Sequence, residues 1–141
     1  MSRRGSVAYN AEAMDSLKTR YPDLAPFLTK DGSIIRELMH PAAHGNRNQS
    51  LAEAIVPPGG QTLAHIHHRS EELYHFTAGA GVMRLGDARF PVQAGDTVHI
   101  APGTVHALSN PGAEELRLLC CSSPPYADAD TELVAAGVPA P

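Results

Sequence analysis

Residues 59–79 read GGQTLAHIHHRSEELYHFTAG, and a second block, residues 95–110, reads GDTVHIAPGTVHALSN. In the first block Gly59 is followed, with fixed spacing, by His65, His67, Glu72 and Gly79; in the second, Gly95 leads through Asp96, Ile100, Pro102 and Gly103 to His106 and Asn110. Alternate side chains of an extended strand share a face with Cα atoms about 6.6 Å apart, so His65 and His67 can converge on one ion while Ile66 faces away. The run Glu71, Glu72, Leu73, Tyr74, His75, Phe76, Thr77 is β-rich and closed by Gly79, Ala80 and Gly81, which puts Glu72 on an adjacent strand. Ala101, Pro102, Gly103 and Thr104 form a turn that swings His106 into the same concavity. Three neutral imidazoles and one carboxylate suit a first-row transition ion. His65, His67, Glu72 and His106 are therefore the expected ligands of one divalent metal per chain, with Fe, Mn, Ni, Zn, Co and Cu all compatible. Four protein donors on an ion that prefers six leave about two positions for water or substrate.

Outward from these blocks the chain is a series of short apolar runs punctuated by turns. Strands are expected at 34–38, 50–56, 61–67, 72–78, 82–85, 88–92, 97–100, 105–109 and 115–121, with breaks at Pro57 to Gly60, Gly86–Asp87, Gly95–Asp96 and Asn110 to Gly112. Such spacing predicts an all-β sandwich or barrel. Before it, residues 11–20 have helix-forming composition, with Asn10 as a cap and Pro22 and Pro26 as stops. The expected organisation is an N-terminal helical extension over 1–29, a barrel over 30–125 and a loosely packed, Pro-rich tail over 126–141 with a helical turn near 130–135.

The spacing G-x5-H-x-H-x4-E-x6-G, fifteen intervening residues, then G-x5-A-x-G-x2-H-x3-N resembles the two signature motifs of the cupin superfamily, and the flanks are similar to those of small single-domain bacterial cupins. One departure is Ala101, where the second motif usually has proline; Pro102 follows directly and supplies the rigid turn. The resemblance implies a double-stranded β-helix, or jelly-roll barrel. Its functional range includes dioxygenases, decarboxylases, sugar isomerases, lyases, polyketide cyclases and non-catalytic binding modules.

Composition narrows the partners. The 141 residues are 43% hydrophobic with a net charge of −4 and an isoelectric point near 6.0, enough for one core and unsuited to a phosphate backbone, so nucleic acid is not expected. Arg3 and Arg4 precede no apolar segment, and no stretch approaches membrane-spanning length, so neither a leader nor a membrane partner is expected. Cys120 and Cys121 are neighbours pointing to opposite faces of a strand, a poor disulfide, and read as reduced thiols in a cytoplasmic protein. Sheet edges and an outer apolar face predict a homodimer.

The other polar residues divide between candidate site roles and plainer ones. Glu71 competes with Glu72, but Glu72 has the spacing to Gly79 and the parity of Tyr74 and Phe76. His75 and His68 break parity and read as a packed or interface histidine and an exposed one; His40 and His44 read as solvated loop residues. His99 could lie on either face of its strand and is a candidate to touch substrate or carry a proton, with Tyr74 a second catalytic candidate. Leu63, Phe76 and Leu108 are expected to wall the cavity, with Arg36 and Gln49 as polar selectors. Two functions stay open: a metal-dependent enzyme on a small, largely apolar, oxygen-bearing molecule, and a module that binds such a ligand without turnover. A closed structural zinc site is disfavoured because neither cysteine belongs to the motifs.

Overall fold

The computed structural model describes residues 18–134. They form eleven strands: β1 (Phe27–Leu28), β2 (Ile34–Met39), β3 (Ser50–Val56), β4 (His65–His67), β5 (Glu71–Ala78), β6 (Ala80–Leu85), β7 (Ala88–Gln93), β8 (Thr97–Ile100), β9 (His106–Ser109), β10 (Leu116–Ser123) and β11 (Thr131–Leu133). Two antiparallel sheets face one another, one ordered β1-β2-β3-β10-β5-β8 and the other β11-β4-β9-β6-β7. This is the expected all-β cupin architecture. Among the described residues no helix is long and apolar enough to cross a membrane.

Alternation builds the core. On β5, Glu72, Tyr74 and Phe76 are buried while Glu71, Leu73, His75 and Thr77 are exposed, so one face of the strand turns inward. Phe76, Met83, Ile100, Leu116 and Leu118 are fully enclosed between the sheets, each contributing about 1.5–3 kcal/mol of apolar burial. The motif asparagine closes one end: Asn110 Nδ2 donates to the carbonyls of Val56 (2.9 Å) and Glu114 (2.7 Å).

Three expectations are corrected. The helix over residues 11–20 lies mostly outside the described residues; where the extension is described its one helical element is a 3-10 turn, Tyr21–Asp23, with proline near its start, and Phe27–Leu28 joins the sheet as β1. The strand expected over 61–67 is shorter: Thr62 and Leu63 donate their N–H groups to Leu108 and Asp31, and only His65–His67 runs as a strand. As far as residue 134 the tail is not loose. After a 3-10 turn at Asp128–Asp130, Thr131, Glu132 and Leu133 pair with His67, Ile66 and His65, so β11 covers the backbone edge that β4 would otherwise leave open.

Candidate metal centre

β4 and β9 meet at one register pair, His65 opposite His106. The turn expected from Ala101 to Thr104 makes that meeting possible: Thr104 N–H donates to Ala101 O (3.2 Å), Pro102 stands second, and Gly103 stands third at φ +78°, the type II arrangement. Gly103 N–H also donates to His67 O (2.7 Å), tying the turn to β4. Proline at position 101 is therefore not needed. Glu72 comes from β5 in the facing sheet, so the cluster bridges both layers.

The four side chains are all buried, and one ligand atom from each lies within 4.8 Å of all the others. Each histidine is oriented through Nδ1. His65 Nδ1 donates to Leu63 O (3.0 Å) and His106 Nδ1 to Thr104 O (2.9 Å). His67 Nδ1 lies 2.9 Å from Thr131 Oγ1, whose own hydrogen goes to Ala127 O. A carbonyl cannot donate and a hydroxyl has one hydrogen, so every Nδ1 carries the proton and every Nε2 turns inward with a free lone pair. Ser122 Oγ donates to Glu72 Oε2 (3.2 Å), leaving Oε1 aimed at His67 Nε2 (2.7 Å) and His106 Nε2 (3.4 Å).

This set fits a divalent cation. Glu72 Oε1 and His106 Nε2 are buried without a hydrogen-bond partner, and lone pairs facing each other at such distances need a positive centre between them. The electrostatics agree. Burial pushes the Glu72 carboxyl up, but hydrogen bonds and positive charge from the rings of His106 and His67, in the place a cation would take, outweigh it and hold it down at about 2. Burial, then His106, pushes His65 down to about 4, keeping it neutral near pH 7. Asp31 Oδ2 lies 3.5 Å from His65 Nδ1. Burial raises the Asp31 carboxyl, but His65 and the hydroxyls of Ser33 and Thr29 more than offset this.

Residues 52–122, half of the chain, match the cupin domain family. The chain belongs to the cupin family. Over 121 residues, 86% of this cupin and 97% of its relative, it is 50% identical to an uncharacterized protein of Methanocaldococcus jannaschii. Its fold is similar to that of the polyketide cyclase RemF from Streptomyces resistomycificus, at TM-score 0.72 and 18% identity over 86% of this chain and 87% of that one. It is also similar to the nucleoside dehydratase Pac13 of Streptomyces, at TM-score 0.67 and 19% identity over 83% and 89%.

The cupin's cavity opens over the ligand cluster and has a volume of about 60 Å³. Tyr74 and Leu108 line it, as do His65, His67 and Glu72; the Tyr74 ring lies 5.8 Å from that of His106, edge to face. Other expected residues lie elsewhere. His99 pairs across from outward-facing Leu73 and meets Glu71 at 2.9 Å on the exposed surface. Arg36 alternates with inward Ile35 and Glu37, so it points out, donating to Leu24 O and stacking on Tyr21. Gln49 is exposed, accepting from Cys121 Sγ (3.7 Å). Leu63 is 51% exposed on the far side of its sheet. Phe76 shares Tyr74's parity but lies deeper, in the core. His40 is no solvated loop residue: its Nε2 donates to Tyr126 O (2.7 Å) and its Nδ1 accepts from Ala42 N–H (3.0 Å).

Sequence reading missed Asp31, Glu37, Ser122, Tyr126 and Thr131, all of which line the cavity. Asp31 and Thr131 reach the histidines from segments 34 and 64 residues away from their partners in the chain. A local signal existed only for β11, where Thr131 to Val134 is a short β-prone run.

Proposed function

We propose that this cupin is a metal-dependent enzyme acting on a small, largely apolar, oxygen-bearing organic substrate. The observation that carries the reading is the convergence of three Nε2 atoms and one carboxylate oxygen on a cavity whose other walls include Ile35, Ala52, Ala54, Val56, Leu108 and Leu118. His65, His67, Glu72 and His106 would hold the ion, which supplies Lewis-acid polarisation of a substrate carbonyl or enolate and, if it is Fe(II), access to dioxygen chemistry. Tyr74 stands beside the ligands with its ring fully inside the cavity wall and orients the substrate's apolar body. The non-oxidative arm of the reading, cyclase, isomerase or lyase, is supported by two proteins of the same fold, the polyketide cyclase RemF and the nucleoside dehydratase Pac13. A reduced, cytoplasmic setting accompanies the reading, since Cys120 and Cys121 are free thiols and Cys120 faces the cavity.

The test reconstitutes the protein with Fe(II), Mn(II), Ni(II) or Zn(II) and screens catechols, 1,3-diketones, 2-oxo acids, flavonols and polyketide-like phenols for oxygen uptake and product. Turnover that vanishes in His106→Ala supports the enzyme. Oxygen use restricted to Fe(II) selects the dioxygenase arm, and turnover with Zn(II) and no oxygen use selects the non-oxidative one. Tight binding with every metal and no conversion would replace this reading with that of a non-catalytic binding cupin.

A further inference from the structure

The sheet that supplies Glu72 carries another inward-facing carboxyl, three strands away. Glu37 on β2 faces inward with Ser33 and Ile35, and register places it in one row across the sheet with Ala52, Cys120 and Tyr74, next to the row of Ser50, Ser122 and Glu72. Its Oε1 is buried with no hydrogen-bond partner. His40, the nearest cationic candidate, has both ring nitrogens engaged by backbone and gives Glu37 no proton. An enclosed carboxyl oxygen without a partner costs free energy unless something from the cavity bonds to it. Burial also pushes this carboxyl up, against a smaller opposing pull from His40.

Charge around the cavity is one-sided. Among the described residues no lysine or arginine lines it, and its carboxyl side chains are Asp31, Glu37 and Glu72. Lys30, beside Asp31 in sequence, is tied instead to the carbonyls of Asp128 (2.8 Å) and Thr131 (2.9 Å). A divalent ion held by Glu72, with Asp31 behind His65, leaves little positive charge to attract a second anionic group at the end of the substrate away from the ion.

We propose that Glu37 is a specificity-determining residue that hydrogen-bonds the end of the substrate remote from the metal ligands, so that the cavity takes neutral hydroxyl-bearing or amine-bearing molecules and rejects carboxylates. Three strand spacings, about 14 Å along the sheet, separate the backbones of Glu37 and Tyr74. Ala52 and Cys120 stand between them in that row, small side chains over which a substituted aromatic ring can lie. The inference rests on the proposed function, because it takes one end of the substrate to chelate the metal.

The test uses Co(II)-loaded full-length protein at pH 7, whose visible absorption reports chelation, and three matched probes: 4-(2-hydroxyethyl)catechol, 4-(2-aminoethyl)catechol and 3,4-dihydroxyphenylacetate. The hydroxyl and amine probes should bind at least about tenfold more tightly than the carboxylate, because an added anion meets an acidic, partly desolvated wall. In Glu37→Gln, a near-isosteric change, the amine probe should lose about tenfold while Co(II) uptake stays as in the wild type. Equal affinity of the three probes for wild-type protein, or an unchanged amine preference in Glu37→Gln, overturns the assignment and leaves the metal-site reading intact. No spectral response to any catechol, with cobalt bound, overturns both.

Discussion

At His67 the proton sits on Nδ1 because Thr131 can only accept there, having given its own hydrogen to Ala127 O, and the free Nε2 then meets Glu72. Thr131→Val keeps the shape of the side chain but removes the acceptor, leaving a buried N–H unpaired and the ring free to turn. Metal affinity should fall roughly tenfold or more in Thr131→Val and return in Thr131→Ser, measured by competition with a chromogenic chelator. Unchanged affinity in the valine variant would show that His67 is oriented without this hydroxyl. The ligands themselves were legible in the sequence, since parity and spacing are local properties of the chain. Thr131 and Asp31 were not, because nothing in their neighbourhoods records which histidine they will face.

Among the elements, β5 runs into β6 through Gly79, the glycine that ends the first motif. Its φ is +79°, and a Cβ there would fall 2.2 Å from the carbonyl oxygen of Glu115, a backbone atom that cannot step aside. Gly59, which opens the motif, also has a positive φ (+74°) but meets nothing within 4 Å. Gly79→Ala should therefore cost about 2–4 kcal/mol, and Gly59→Ala only about 1–2 kcal/mol from the left-handed backbone alone. Urea denaturation of the two variants separates the effects, and equal losses would mean that the contact with Glu115 relaxes freely. Strand existence was readable from turn residues and alternation, including the burial of Glu72, Tyr74 and Phe76. The positions of His99, Arg36 and Leu63 were not, since which face of a strand turns inward is fixed by its register against neighbours such as Leu73 and Ile35, or by where the strand begins.

In the whole molecule, one row across the outer face of the larger sheet is apolar. Register aligns Met39, Leu51, Cys121 and Leu73 across four adjacent strands, with Leu51 37% and Leu73 45% exposed. A second copy packing its equivalent face there would bury this row symmetrically, so light scattering should give twice the 14.9 kDa of one chain. Leu73→Asp should shift the protein toward that single-chain mass, and a monomeric wild type at micromolar concentration would refute the pairing. By itself the sequence determined the all-β class, the turn at Ala101 to Thr104 and the four ligands, because each follows from spacing along a strand or from the φ preferences of Pro and Gly. Only the tertiary structure decided that β11 returns to complete the ligand-bearing sheet, that Asp31 and Thr131 meet the histidines, and that Glu37 lines the same cavity from three strands away. Those relations join segments far apart in the chain, and pairing between distant strands is selected by the closing of two sheets over one core rather than by any local pattern.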